Sequence, residues 1–321
     1  MHADNCLIQQ QQLQDFRALP TRYPTRSRWG TQATQDPNMY QPITDNIIKG
    51  ITTELNREDI LADPNWTTQS TCLTTSNFDR SVINGTMSKL FGEKTKKVVI
   101  SWKRALRKEL PAYISNKLYN EQLYPELFGY FVEGARAQIL DNGNGNVCYG
   151  VANGTPCTMV SLAWNDIHHE VEMRNLIRDS QLTTNTVHLP IAPDFIIVKV
   201  DTVDASTWPQ HLNLSDDKST IHIPIGLIVH HAGDSKHSVK FSDGVKIEYH
   251  PHAIDLSFAI TTWKSQGATL DYVITLLEHS PNSPRLTFEM LYVMFSRARS
   301  ANKFRCMPLS HSFQKSNLKK L

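Results

Sequence analysis

The residues best suited to chemistry lie in the polar segment 261–270, which reads Thr-Thr-Trp-Lys-Ser-Gln-Gly-Ala-Thr-Leu. Lys264, Ser265 and Gln266 lie beside backbone N–H groups, and this combination suits the oxygens of a phosphate. Gly267 predicts a left-handed backbone conformation that closes the turn. The segment therefore indicates a phosphate-binding turn, and the alternative interpretation is a solvated loop with an ordinary lysine.

Two predicted strands flank this turn. In the segment 254–260 apolar residues alternate with smaller or polar ones, which is typical of a strand with one buried face. The apolar positions of that pattern are Ile254, Leu256, Phe258 and Ile260. Thr261 and Thr262 then form a helix N-cap pair, and residues 272–277 predict a second strand. Polar residues between two strands are placed where α/β sheets present chemistry, at the strand ends.

A second segment, 286–300, predicts a helix. Thr287 can cap its N-terminus, and Glu289 suits the positive end of the helix dipole. The apolar residues at helical spacing, which predict a buried stripe, are Phe288, Leu291, Tyr292 and Phe295. Arg297 and Arg299 follow at the C-terminal end, where the dipole favours an exposed arginine even without any functional role.

The two segments together resemble the last two signature motifs of superfamily-one helicases, in the Pif/RecD branch. The first motif of the pair corresponds to residues 261–270. The second corresponds to Tyr292-Val-Met-Phe-Ser-Arg297. Trp263 departs from the pattern, because many members have His there. Its ring could stack on a base or serve packing.

The resemblance implies a nucleotide site in an ATP-dependent DNA helicase. Arg297 would be the arginine finger that reaches the γ-phosphate as charge develops. Arg299 would support it or pair with an acid. Gln266 and Gly267 would line the nucleotide side of the cleft.

The resemblance also implies a site for single-stranded DNA. Lys264, Ser265 and Thr269 would hold the phosphate backbone of the strand, with Trp263 nearby. On this interpretation Arg297 acts on the nucleotide, and Arg297→Lys leaves the affinity for the strand nearly unchanged.

A helix is predicted over residues 78–90, after a strand-prone run at 70–77. Its expected buried positions are Val82, Ile83, Met87 and Leu90. Asn77-Phe-Asp-Arg80, with Ile83-Asn84, resembles the first motif of the second motor domain in the same helicases. That resemblance implies that Asn77 and Arg80 belong to the nucleotide cleft; the alternative is plain helix capping.

The predicted fold class is α/β: a RecA-like, P-loop NTPase-type second motor domain with an inserted small β-barrel-like domain. Gly134-Ala-Arg136 and Asn153-Gly-Thr155 resemble the opening of that insert, and residues 242–244 predict a hairpin turn. The predicted organisation is a poorly packed lead-in with a helical linker (1–65), the first part of the RecA-like domain (66–128), a β-rich insert (129–252), the second part of the RecA-like domain (253–308) and a basic tail (309–321).

Two motifs of the first motor domain do not occur in the 321 residues: Gly-x-x-x-x-Gly-Lys, which cradles phosphates, and an Asp-Glu pair, which orients magnesium and water. We therefore expect ATP and Mg²⁺ to serve the complete helicase, and this chain alone to bind neither. The chain would need an N-terminal RecA-like domain in cis or in trans. It could be a truncated gene model, a degenerate copy from a mobile element or a split subunit.

Composition adds few constraints. The net charge is only +2, although seven bases and no acid lie between Lys94 and Lys108. Five scattered cysteines suggest neither a disulfide framework nor a zinc site. We expect no metal, no membrane partner and a reducing intracellular compartment, the nucleus in a eukaryote. The alternative function is a non-catalytic module, derived from a helicase, that binds single-stranded nucleic acid or another partner.

Overall fold

The computed structural model describes residues 45–142, 147–180, 185–228, 237–241, 244–278, 284–313 and 318. These residues form two compact units: the described parts of Met1–Ser76 and Ile260–Leu321 make the first, and Asn77–Ala259 make the second. The predicted lead-in up to residue 44 lies outside the described residues. The predicted domain boundaries at 129 and 252 stay predictions.

The first unit is a four-stranded sheet with helices. Its elements are α1 (Asp45–Ile51), α2 (Arg57–Ala62), α3 (Asn65–Thr68), β1 (Ser70–Thr74), β12 (Ala259–Thr261), β13 (Tyr272–Thr275), α7 (Phe288–Ser296) and β14 (Phe304–Cys306). The strand order is β12-β1-β13-β14, and β1, β13 and β14 run parallel. A parallel sheet needs cover on its faces. The chain therefore has the mixed α/β fold that was predicted.

Helix α7 packs on this sheet through an apolar face. Thr287 caps its N-terminus, because the side chain accepts a hydrogen bond from Met290 N at 3.4 Å. The buried residues of the helix are Met290, Leu291, Val293, Met294 and Phe295. Phe288 and Tyr292, which were predicted to be buried, are half-buried and pack on the edge of the same core.

Two ion pairs tie α2 and the residue that follows it to β14 and the residue that precedes that strand. Arg305 donates to both carboxylate oxygens of Asp59, at 3.0 and 2.7 Å. Lys303 Nζ lies 2.5 Å from Asp63 Oδ2, to which the Tyr272 hydroxyl also donates at 2.5 Å. These hydrogen bonds lower the pKa of Asp63 to about 2.

The described residues of the second unit form three sheets. Its elements are α4 (Asn77–Thr95), β2 (Val99–Lys103), α5 (Ala112–Leu118), β3 (Phe128–Phe131), β4 (Arg136–Ile139), β5 (Pro156–Ala163), α6 (Ile167–Ser180), β6 (Thr186–Leu189), β7 (Phe195–Val200), β8 (Ile221–Ile225), β9 (Ser238–Lys240), β10 (Lys246–Glu248) and β11 (Ile254–Leu256). The sheet orders are β11-β4-β5-β7-β8, β3-β2-β6 and β10-β9. The first two share one core.

The five-stranded sheet of this unit is antiparallel throughout. Within the residues described, it is an open sheet and not a closed barrel. Two backbone hydrogen bonds join the segment after edge strand β8 to the segment before edge strand β11. Ala253 N donates to Gly226 O, and Ile228 N donates to Pro251 O. The predicted hairpin is confirmed, since β9 and β10 pair antiparallel, although residues 242 and 243 of its turn are not described.

The predicted buried face of α4 is wrong. Val82 is 41% and Leu90 51% exposed, and Ile83 and Met87 are only half-buried. The helix instead buries polar and small residues: Asp79, Arg80, Ser81, Asn84, Gly85, Ser88 and Gly92. The glycines allow close approach, because a Cβ on Gly92 would lie 2.6 Å from Val99 Cγ2.

The single strand predicted over 254–260 is also wrong, although its four apolar positions are buried. The chain forms β11 and β12 with a break at Ser257 and Phe258. The Asn84 side chain binds the backbone at this break. Its Nδ2 donates to Leu256 O at 2.8 Å, and its Oδ1 accepts from Ala259 N at 2.8 Å. The backbone groups there are satisfied without a continuous strand ladder.

The described residues hold neither a membrane-spanning helix nor a cluster of metal-ligating side chains. None of their helices is long and apolar enough to cross a membrane. In the same ranges, no group of three or more His, Cys, Asp or Glu side chains could hold a metal ion.

Candidate phosphate-binding turn and its arginine

The turn between β12 and β13 begins as a 3-10 helix, Thr262–Ser265. Gly267 has φ +82, as predicted from its type. A left-handed conformation costs a glycine little, since it has no Cβ. The residue reverses the chain so that the polar side chains before it and after it lie on one short loop.

Two buried hydroxyls anchor the base of the turn. Thr262 Oγ1 donates to Thr74 O at 3.0 Å, and Ser265 Oγ donates to Thr262 O at 2.7 Å. Both residues are fully buried. The structure thus places Ser265, predicted to hold phosphate, inside the turn, where its hydroxyl already has an acceptor.

The outer surface of the turn carries the other predicted residues. Trp263 is 49% exposed, Lys264 is half-buried, and Gln266, Gly267 and Thr269 are exposed. In the part of the chain that the structure describes, no acceptor engages the backbone N–H of Gly267 or of Thr269. Two N–H donors beside a lysine make a small site for an anionic oxygen.

Arg297 lies against this turn at the C-terminal end of α7. Its Nη1 donates to Ala268 O at 3.0 Å, and its Nε donates to Val293 O at 3.2 Å. Its Nη2 donates to Ser296 Oγ at 2.9 Å. The structure therefore brings together the two segments that the sequence singled out, by direct hydrogen bonds within the first unit.

The backbone after the helix joins the turn as well. Leu270 N donates to Arg297 O at 2.9 Å, and Arg299 N donates to Leu270 O at 3.2 Å. Arg299 pairs with Asp271 at 2.8 Å, which is the acid-pairing alternative predicted for it. Both side chains of that pair are more than half exposed. Such exposed pairs stabilise a fold little.

Asn77 and Arg80 belong to the second unit. Asn77 is exposed at the start of α4, whereas Arg80 is buried. Arg80 Nη2 lies 3.2 Å from Asp255 Oδ2, and Arg104 Nη2 lies 3.9 Å from Asp255 Oδ1. The Nε atoms of both arginines are buried, and no described residue offers them a hydrogen-bond acceptor. One carboxylate thus serves two buried guanidinium groups.

The charges of this cluster also act on the carboxyl group of Glu126. Burial raises the pKa of Glu126, although the charges of Arg80 and Arg104 act in the opposite direction. The sequence did not single out Asp255 or Arg104. The position of Arg104 in a basic run predicted solvation, and the only signal for Asp255 was a charged residue inside an apolar alternation.

A groove of about 810 Å³ also lies in the second unit. Its walls include Phe78 and Val82 of α4 and the ring of Tyr130. Lys89 Nζ lies 2.8 Å from Glu121 Oε1, which also accepts a short hydrogen bond from the Tyr130 hydroxyl. Exposed Val82, which the sequence placed in the core, is therefore part of a groove wall.

No protein-family model and no curated protein sequence matches the chain. Solved structures do match it. Pif1 helicases are among them.

Three of these matches illustrate the likeness. The Pif1 helicase from Candida albicans has a TM-score of 0.41 at 14% identity, and the match covers 86% of this chain and 51% of that one. Pif1 from Bacteroides in complex with ADP-AlF3 and ssDNA gives 0.42 at 15%, with 85% and 47% covered. Bacteroides Pif1 bound to ssDNA gives 0.38 at 16%, with 78% and 42% covered.

The chain thus spans about half the length of the Pif1 chains that it matches.

Proposed function

We propose that the chain is the C-terminal motor half of an ATP-dependent DNA helicase, which translocates on single-stranded DNA and unwinds duplex. One observation supports this most: Arg297, at the end of α7, donates directly to the turn that carries Lys264 and two backbone N–H groups for which the described residues offer no acceptor. A motor needs such contact between the group that senses the nucleotide and the group that holds the strand.

The strand would lie on the exposed side of the turn. Lys264 and the N–H group of Thr269 would contact phosphate oxygens of the strand, and Trp263 would stack on a base. Ser265 would support the turn from inside, since its hydroxyl donates to Thr262 O. These contacts read no base edge, so sequence preference would be small.

Another domain would bind the nucleotide. ATP and Mg²⁺ would be held by an N-terminal RecA-like domain, in cis or in trans, and Arg297 would act as its arginine finger. Gln266, Gly267, Asn77 and Arg80 would belong to the same nucleotide cleft. Within the proposed family fold, residues 129–252 would form the β-barrel-like insert of a RecA-like domain.

The purified chain tests this proposal in two ways. It should not hydrolyse ATP above background, because it lacks the phosphate loop and the Asp-Glu pair. It should bind single-stranded DNA weakly, with an affinity that falls as salt rises. DNA-stimulated ATPase that Arg297→Ala removes would overturn the first expectation.

The expected weak binding to single-stranded DNA is tested by titrating salt against the binding of labelled single strands. Lys264→Ala should weaken binding to all sequences alike and reduce the slope of log affinity against log salt by about one. Lys246→Ala, in the hairpin of the second unit, is the matched control and should leave the slope unchanged. Strong preference for one sequence would contradict the proposal. Binding without ATPase after an N-terminal motor domain is supplied would favour the non-catalytic module.

A further inference from the structure

The guanidinium of Arg297 is engaged inside the chain at each of its nitrogens. Nη1 donates to Ala268 O at 3.0 Å, Nε to Val293 O at 3.2 Å and Nη2 to Ser296 Oγ at 2.9 Å. Val293 and Ser296 lie on α7, whereas Ala268 lies in the turn. The side chain therefore joins the helix to the turn.

The atom that it holds has a particular position in the turn. Ala268 O belongs to the peptide unit between Ala268 and Thr269, which is planar and trans. In such a unit the C=O and the N–H point in opposite directions. Because Arg297 fixes the carbonyl of Ala268, it also directs the N–H of Thr269 away from itself.

The two neighbouring peptide planes are held by other hydrogen bonds. Ala268 N donates to Ser265 O at 3.0 Å, and Leu270 N donates to Arg297 O at 2.9 Å. Among the described residues, the peptide between Ala268 and Thr269 is held only through its carbonyl, since Thr269 N has no acceptor there. This peptide plane could therefore rotate about the bonds on its two sides if the carbonyl were released.

We propose that Arg297 is a positioning residue for the strand-binding turn, in addition to its role toward the nucleotide. Its guanidinium holds the carbonyl of Ala268, so the N–H of Thr269 is aimed at a phosphate oxygen of single-stranded DNA. This inference rests on the proposed function for the identity of the strand, but the restraint of the turn is independent of it.

Lysine cannot replace this side chain. A guanidinium presents its donors in a rigid fork, whereas an ammonium is one point at the end of a flexible stem. A lysine at 297 could reach one of the three acceptors and would leave the peptide plane free. Arg297→Lys keeps the charge, so it separates geometry from electrostatics.

The test uses the purified full chain and three variants. Arg297→Lys removes the fork, Lys264→Ala removes a strand contact, and Arg299→Ala is the matched control at the same turn, since its side chain pairs only with exposed Asp271 among the contacts that the structure describes. Hydrogen exchange of the segment 266–271 is measured without DNA. Affinity for an oligothymidine is then measured across salt.

We expect Arg297→Lys to accelerate exchange at Ala268 and Leu270, whose amides donate to Ser265 O and Arg297 O. The affinity should fall roughly three- to tenfold, which corresponds to one lost hydrogen bond, with the salt slope unchanged. Arg299→Ala should leave the exchange unchanged.

Each other result would count against the inference. Unchanged exchange in Arg297→Lys overturns the restraint, whatever happens with DNA. Faster exchange at full affinity overturns the link to the strand. A smaller salt slope, as for Lys264→Ala, would mean that Arg297 contacts phosphate directly. If the unaltered chain binds no single strand, the proposed function fails with the link, and the exchange experiment alone decides the restraint.

Discussion

His252 shows how strongly the surroundings of a single residue decide its chemistry. The ring is 3% exposed, one nitrogen lies 2.8 Å from Pro193 O, and Trp102 packs edge-on at 5.5 Å. Burial disfavours the charged ring and lowers the pKa of His252 from 6.5 to about 4. His252 is thus a neutral core residue at neutral pH.

His252 predicts a pH dependence of the stability of the second unit. Because its pKa is lower in the folded state, the unfolded state binds the extra proton between pH 6.5 and 4, and stability falls as pH falls through that window. The loss is on the order of 3 kcal/mol. His252→Phe should remove this part of the dependence. Denaturant unfolding at several pH values measures it.

Exposed His211 offers the control for this prediction, since His211→Phe should leave the pH profile unchanged. Parallel profiles for the unaltered chain and His252→Phe would show that the ring is protonated in the fold. They would contradict the burial argument.

At the scale of elements, α4 reverses the usual assignment of faces. Apolar Val82 and Leu90 face solvent, whereas Asn84, which is 2% exposed, faces the core. The inward polar groups have partners: Arg80 binds Asp255, and Asn84 binds backbone at 256–259. A buried polar group is tolerated when it is paired. This helix is held by directed contacts as well as by apolar area.

A pair of substitutions on α4 tests that reversal. Asn84→Ala should destabilise the second unit by about 2–4 kcal/mol, because it leaves buried backbone groups at the break between β11 and β12 without partners. Val82→Ala should cost less than about 1 kcal/mol, since Val82 is exposed. Thermal or denaturant unfolding compares them. A larger loss for Val82→Ala would restore the face predicted from sequence.

At the scale of the whole molecule, the proposed motor needs a second domain for the nucleotide. Arg297 is positioned by the packed helix α7, whose Leu291, Met294 and Phe295 are buried in the core of the first unit. A guanidinium at a packed helix end is already in position, so it needs little rearrangement when charge develops on a phosphoryl group. Its proposed catalytic role can therefore be expressed only when that domain is present.

The reconstituted enzyme tests this role. After an N-terminal motor domain is supplied in cis or in trans, Arg297→Lys should lower ATP turnover by about 10³–10⁵, which is the usual contribution of an arginine finger. Arg299→Ala, which removes an arginine from an exposed pair beside the same turn, should lower it far less. Steady-state ATPase with saturating single strand measures both. Near-normal turnover in Arg297→Lys would remove the finger assignment.

The sequence by itself determined what depends on local pattern. The helix at Phe288–Ser296 with its Thr287 cap, the left-handed Gly267, the strands β1 and β13 and the hairpin β9–β10 all follow from periodicity, caps and turn residues. These signals are local because neighbouring residues alone satisfy them. The segments 261–270 and 292–297 were singled out in the same way.

Tertiary structure alone decided which groups meet. The polar face of α4, the break between β11 and β12 and the contact of Arg297 with Ala268 O join residues 29 to 175 positions apart in the chain. Periodicity cannot show that Asn84 binds backbone at 256–259, because the acceptors are main-chain atoms that any residue type carries. Nor can a motif show that its arginine is already hydrogen-bonded by the turn beside it.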